Sequence, residues 1–277
     1  MESFRLACFD LECGNPFMRF SSRVLPLALC VVNIVGFCQE QPAKQNYLPA
    51  SVEYAPAISD FPKDLLNNFT GLWSKDNLVP LLVGAGAVTA AMPADDRVER
   101  KFYDPAATDG FAVAGKQMGK SQLLGPLIGA SFLASRLTDN AKFQNVTYDA
   151  AQGFLVSNTV MAGLKEVTGR SRPDRADDYS FPSGHTANSF MLATVVSRHY
   201  GWRKALPAYA AASYVGVSRM RSQKHHLTDV LAGATIGFIV GRTVTRRSAE
   251  DGPPRFNLGV AVPPGGGAAL NVGIRLW

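Results

Sequence analysis

Past position 38 the sequence has no cysteine: Cys8, Cys13, Cys30 and Cys38 are the full complement of its 277 residues. The remainder can carry neither a disulfide framework nor thiol chemistry, so its fold must rest on an apolar core. Charge is also sparse, at 18% of residues against 47% hydrophobic, a ratio that excludes a disordered chain. There is no zinc-finger spacing, RNA-binding signature, nucleotide-binding loop or long basic run. The net charge of +6 therefore does not point to nucleic acid. It leaves anionic membrane surfaces and small anionic substrates as partners. Long apolar runs are missing too. The charge-free stretches are bounded by Lys120 and Arg136, by Asp149 and Lys165, by Arg198 and Arg203, and by Asp229 and Arg242. Each falls short of the roughly 20 residues a membrane span needs. Residues 77–94 come close, with Pro80 inside. This patterning favours a water-soluble or peripheral helical bundle.

The chain divides into four segments. Residues 1–38 read as an upstream stretch followed by a secretory leader that starts at Met18. Arg19 and Arg23 supply its positive n-region and residues 24–37 its short apolar stretch; Gly36 and Cys38 are small residues ahead of cleavage before Gln39. A retained membrane anchor is the alternative. Export through such a leader implies the periplasm of a Gram-negative bacterium. Residues 39–76 form an N-terminal extension with an amphipathic helix from Ser59 or Asp60, Pro62 in its first turn. Its apolar positions Phe61, Leu65, Leu66, Phe69, Leu72 and Trp73 pack on the core or touch lipid.

Residues 77–247 form the helical domain. Apolar periodicity predicts helices at 78–92, 122–137, 146–167, 185–200, 205–217 and 228–243. Gly233, Gly237 and Gly241, spaced by four, let a neighbouring helix approach the last of these closely. In residues 248–277 two alternating segments, 255–262 and 269–277, flank Pro263-Pro264-Gly265-Gly266-Gly267 and predict a short β-hairpin. The fold class is all-α, a six-helix-type bundle with a C-terminal hairpin.

Three short segments carry the chemistry. Lys165-Glu166-Val167-Thr168-Gly169-Arg170-Ser171-Arg172-Pro173 places an ammonium and a guanidinium seven residues apart, around a helix end at Gly169. Both can converge on one tetrahedral anion. In Pro182-Ser183-Gly184-His185, Ser183 is placed as an N-cap before an apolar helix, whose first-turn N–H groups form an anion site. Gly184 lets the backbone come close to bound oxygen. His185 stands at the mouth of that site, able to deliver a proton. In the third segment Arg219 ends one helix and His225 precedes the next. Asp229, four residues on, can reach the Nδ1 atom of His225, fixing its tautomer and leaving Nε2 free as a nucleophile. His226 and His199 are read as structural.

The order Lys-x6-Arg-Pro, Pro-Ser-Gly-His, Ser-Arg-x5-His-x3-Asp resembles the tripartite signature of the type 2 phosphatidic acid phosphatase and vanadium haloperoxidase superfamily. All its positions are filled, over a core of about residues 78–243. The resemblance implies an α-bundle and a phosphoric ester hydrolase needing no cofactor and no metal. His225 would attack phosphorus to form a phosphohistidine, oriented by Asp229, and His185 would protonate the leaving oxygen. Lys165, Arg172, Arg219, Ser183 and the Gly184 amide would hold the remaining phosphate oxygens. The expected substrate is a phosphorylated small molecule or a lipid phosphate, with peripheral membrane contact. Only eight residues separate Pro173 from Pro182, shorter than in the family's soluble acid phosphatases. The alternatives are a broad-specificity periplasmic acid phosphatase and a vanadate-dependent haloperoxidase.

Overall fold

A computed structural model describes residues 56–102, 110–246, 256–261 and 269–274. The expected leader lies outside the described residues. After a 3₁₀ turn at Ile58–Asp60 comes α1, Phe61–Gly71, with Pro62 in its first turn. Leu65, Phe69 and Leu72 pack against the core, whereas Leu66 and Trp73 are exposed. Core packing, one of the two fates foreseen for this amphipathic helix, holds for one face, and the other face is exposed. Asp60 makes no side-chain cap bond. A 3₁₀ turn leads into α2, Leu78–Ala91, and another into α3, Asp95–Phe102. Next are α4, Gly110–Met118, α5, Ser121–Ser135, and α6, Ala141–Thr168. The last three are α7, Gly184–Tyr200, α8, Trp202–Arg221, and α9, Leu227–Val244.

The described residues thus hold more helices than a six-helix bundle. The additions are α3 and α4, which apolar periodicity did not signal. In α3 the sequence is charge-dense, and its helicity is favoured electrostatically: Asp95 and Asp96 sit in the first turn, Arg100 and Lys101 in the last. Each charge complements the helix dipole at its own end. β1, Phe256–Ala261, and β2, Ala269–Ile274, pair antiparallel, with Phe256 opposite Ile274.

α7 is the central helix, flanked by α6, α8 and α9. Val156, Met191, Val195, Val240 and Val244 form one buried cluster, and Phe190, Ala193 and Ala212 a second. The α7–α9 contact is backbone-close. A Cβ at Gly233 would lie 2.5 Å from the Ser183 carbonyl oxygen, and one at Gly237 2.2 Å from that of Ala187. Only the missing side chains of α9 permit this approach. It presses the start of α9 against the start of α7, which brings His225 and His185 to one end of the bundle.

The expectation of a water-soluble bundle meets two facts. Residues Lys75–Lys101 run as a 27-residue, largely unburied helical stretch long and apolar enough to cross a membrane, and Leu227–Val244 passes the same test but is mostly buried. Leu78, Leu82 and Val83 on α2, and Leu123, Leu127 and Leu133 on α5, are exposed.

Candidate active site

α6 is capped at its start by Asn140, whose side chain accepts from the Phe143 N–H at 2.9 Å. It ends at Gly169, which takes the left-handed conformation at φ 50°. Lys165 therefore lies in the last turn, and its Nζ donates to the Tyr179 carbonyl. The chain then folds back on itself: Ser180 N–H donates to the Arg170 carbonyl at 2.9 Å, and Arg172 N–H to the Asp177 carbonyl at 3.0 Å. Arg172 Nε is held by Asp177, and its Nη1 donates to the Lys224 carbonyl at 3.1 Å. That leaves the rest of the guanidinium fork available to an anion.

Ser183 is the N-cap residue of α7, but its side chain does not cap a backbone N–H as anticipated. Its hydroxyl pairs instead with Thr186 Oγ1 at 2.9 Å, and its N–H donates to the Asp229 carbonyl at 3.0 Å. The first-turn amides of α7 are thereby left unclaimed by this side chain. A Cβ placed on Gly184 would meet no atom within 4 Å, so this face of the helix start is open to bound oxygen. His185 packs on Gly119, where a Cβ would come within 2.8 Å of the ring-bearing carbon. His185 Nε2 is buried and has no hydrogen-bond partner among the described residues. Neither has Nε of Arg219, which is buried at the end of α8.

His225 is buried, and its ring is fixed differently from the sequence expectation. Nδ1 lies 2.7 Å from the Ser180 carbonyl oxygen but 3.7 Å from Asp229 Oδ2. A carbonyl only accepts, so Nδ1 carries the proton and donates it to Ser180, leaving Nε2 with its lone pair. Asp229 acts on the imidazole as a nearby charge. Its Oδ2 accepts from the Ser180 hydroxyl and, at 2.8 Å, from His226 N–H; its Oδ1 accepts from Arg170 Nη1 at 2.7 Å. His226 is the N-cap of α9, forms a capping box with Asp229, and lies 3.4 Å from Glu99. His199, read as structural, is buried against Asp149 at 2.8 Å.

The charges converge electrostatically. Burial first, then Arg219, His225, Arg172 and Lys165, push His185 down to about 3. Burial lowers His225 to about 4, with Lys165 and Arg219 adding to the fall and Asp229 opposing it. Both rings are neutral at pH 7. Lys165 is lowered to about 8 by burial and by Arg172, and burial likewise lowers Arg219 to about 10. All eight residues expected from sequence lie in this one region. Sequence reading passed over Ser180, Arg170 and Gly119. Arg170 was visible beside Arg172, but spacing alone cannot assign two arginines to two jobs. Gly119 lies in a segment with no motif.

Residues 149–252 match the family model described as the PAP2 superfamily. The chain is 42% identical over 96 residues to a lipid A 1-phosphatase of Porphyromonas gingivalis, covering 34% of this chain and 21% of that one. It is 32% identical over 146 residues to phosphatidylglycerophosphatase B of Bacillus subtilis, covering 44% and 66%. The chain thus spans from about a fifth to about two thirds of these relatives. The fold matches the structure of a transmembrane PAP2 type phosphatidylglycerolphosphate phosphatase from Bacillus subtilis. That match has TM-score 0.51 and 23% identity, over 63% of this chain and 96% of that one. All three ordered segments, gathered at one end of the bundle, fall within the residues that match the PAP2 superfamily.

Proposed function

We propose that this protein is a metal-independent lipid phosphatase that works through a phosphohistidine at His225. The observation that carries the reading is the buried His225 ring, its Nδ1 proton held by the Ser180 carbonyl and Nε2 left as a lone-pair nucleophile beside Lys165, Arg219 and His185. In the first step Nε2 attacks phosphorus and the P–O bond to the leaving group breaks. His185 gives its proton to the departing oxygen. In the second step water attacks phosphorus, His185 takes its proton, and the P–N bond breaks to release phosphate and His225. Splitting one displacement into two is covalent catalysis, and the cations stabilise the equatorial oxygens throughout. For this, His185 must be protonated when substrate is bound. Burial, then Arg219, His225, Arg172 and Lys165, depress it, and a phosphate dianion among those cations offsets their share.

A lipid substrate is supported by where the exposed apolar helices end. Leucines of α2 and α5 face outward. At the close of the α2 stretch Asp95 accepts from Thr228, three residues from His225. At the start of α5 Gly119 lies on His185. Both apolar flanks therefore adjoin the site, an arrangement that puts it at headgroup level when they rest against a bilayer. The names of the two relatives support the same class, and periplasmic residence follows if the leader read at residues 18–38 is used.

The test is phosphate release from phosphatidylglycerophosphate, phosphatidate, lipid A 1-phosphate and undecaprenyl diphosphate in mixed micelles, against p-nitrophenyl phosphate in water. One lipid should dominate, activity should survive EDTA, and vanadate should inhibit. His225→Ala should abolish turnover and the acid-labile phosphoenzyme trapped by quenching. A strict metal requirement, or normal turnover in His225→Ala, overturns the reading. Halide oxidation on adding vanadate and peroxide would replace it with the haloperoxidase alternative.

A further inference from the structure

We infer that Arg170 and Asp95 form a positioning bridge for the catalytic carboxylate, and that Arg170, unlike Arg172 two residues away, does not bind the substrate phosphate. The inference rests on the phosphatase reading above. Arg170 Nη1 donates to Asp229 Oδ1 at 2.7 Å and to Thr228 Oγ1 at 2.6 Å, and Nη2 to Asp95 Oδ2 at 2.8 Å. Asp95 in turn accepts from the Thr228 N–H at 3.0 Å and from its hydroxyl at 2.6 Å. One guanidinium thus lies between two carboxylates that are both almost wholly buried. Two buried anions this close to one another need a cation between them, and a planar fork satisfies both at once. With both Nη1 protons and one of Nη2 committed to protein, three of its five N–H donors are taken. Arg172 has only its Nε and Nη1 engaged and keeps donors for phosphate.

The bridge has a geometric consequence. Asp229 is free of direct hydrogen bonding to the nucleophile, standing 3.7 Å from Nδ1. Its distance from the ring is therefore set by its other hydrogen-bond partners, of which Arg170 is the only cation among the described residues. Asp95 stands 134 residues earlier and opens α3, directly after the exposed apolar helix α2. The bridge ties that helix to the catalytic turn at the start of α9. No sequence spacing signals such a pair.

The experiment compares Arg170→Lys, Asp95→Asn, their double variant and Arg172→Lys in the full chain, with kcat and KM for the preferred lipid phosphate, melting temperature, and phosphoenzyme trapped by quench. A charge-assisted bond typically contributes enough that its loss lowers kcat by about 10- to 100-fold. The expectation for Arg170→Lys and Asp95→Asn is that fall in kcat and in the phosphoenzyme formation rate, with KM within about twofold of wild type. The double variant should cost less than the product of the singles, because both remove one bridge. Arg172→Lys should instead raise KM. Millimolar guanidinium should restore kcat in Arg170→Ala. Should Arg170→Lys fail to fold, as its melting curve would report, Asp95→Asn carries the same test from the other end. A raised KM at constant kcat in Arg170→Lys would make it a phosphate ligand and overturn the inference, as would unchanged kinetics or losses that track melting temperature alone. If wild type is inactive on every phosphate ester, or His225→Ala is active, the phosphatase reading itself has failed. An active wild type with a dead His225→Ala and indifferent Arg170 variants sinks the bridge alone.

Discussion

Replacing Asp229 by asparagine separates two effects that a histidine–aspartate pair usually combines: fixing the tautomer and stabilising the imidazolium. In this site the tautomer is held by the Ser180 carbonyl at 2.7 Å, while the carboxylate stands 3.7 Å from Nδ1. The variant should therefore keep the tautomer while losing the charge, together with the Oδ1 acceptor for Arg170. At an effective dielectric of about 20, unit charges at this separation interact by about 4.5 kcal/mol. The ring becomes only partly positive as Nε2 begins to bond phosphorus, so about 2–4 kcal/mol of transition-state stabilisation is at stake. At 1.36 kcal/mol per decade that is roughly 30- to 1,000-fold in kcat. Where the carboxylate itself sets the tautomer, as in the serine protease triad, the same change costs about 10,000-fold. The assay is quenched-flow measurement of phosphoenzyme formation at saturating lipid phosphate, which isolates attack by His225 from product release. A loss under about fivefold would mean that Asp229 contributes no useful charge. A loss equal to that of His225→Ala would mean that the tautomer depends on Asp229 after all, and that the Ser180 contact does not hold the ring.

Lys165 is lowered to about 8, chiefly by burial and then by Arg172, and it must be protonated to hold phosphate. Above that pH each further unit should therefore reduce kcat/KM about tenfold, and Lys165→Arg should move this limb beyond the measurable range, because a guanidinium stays charged. A flat profile to pH 10 in wild type would refute the role. For the fold, Gly237→Ala would drive a Cβ to 2.2 Å from the Ala187 carbonyl oxygen, backbone that cannot give way, and should destabilise by about 1–3 kcal/mol. Denaturant unfolding checks this, and an unchanged midpoint would mean that α7 and α9 are less closely packed than described.

The helices that sequence located best are those with one apolar face on the core. Residues 185–200 were expected and Gly184–Tyr200 is found; 228–243 were expected and Leu227–Val244 is found. Four-residue glycine spacing announced the α7–α9 contact, because a close approach leaves a signature only in what is missing. α3 was invisible for the opposite reason: its helix is favoured by charges at its ends, and the apolar period consulted for it is absent. Among the candidate site residues, the placement of Lys165, Arg172, His185, Arg219, His225 and Asp229 in one region was legible from their ordered motifs, but spacing misdirected Asp229, which stands 3.7 Å from Nδ1. Ser180 was not, since its part is played by a backbone carbonyl that any residue could supply. Asp95 reaches the site only through the tertiary fold, and nothing local encodes that.

The choice of asparagine at position 229 follows from a double duty of this carboxylate. Oδ2 accepts the His226 N–H at 2.8 Å as the second half of the α9 capping box, a contact that typically contributes about 1 kcal/mol to a helix start. It also receives the Ser180 hydroxyl, and Ser180 supplies the carbonyl that holds His225. Removing the side chain altogether would loosen the cap, the 180-loop and the nucleophile together, and any loss of activity would be uninterpretable. An asparagine carbonyl can still accept from His226 and from Ser180, so the cap and the Ser180 contact persist while the charge and the Oδ1 acceptor for Arg170 disappear. Alanine at the same position should therefore lower both melting temperature and kcat, whereas asparagine should lower kcat with a much smaller shift in melting. Equal shifts in melting for the two variants would show that the cap depends on the charge, and that fold and chemistry cannot be separated at this residue.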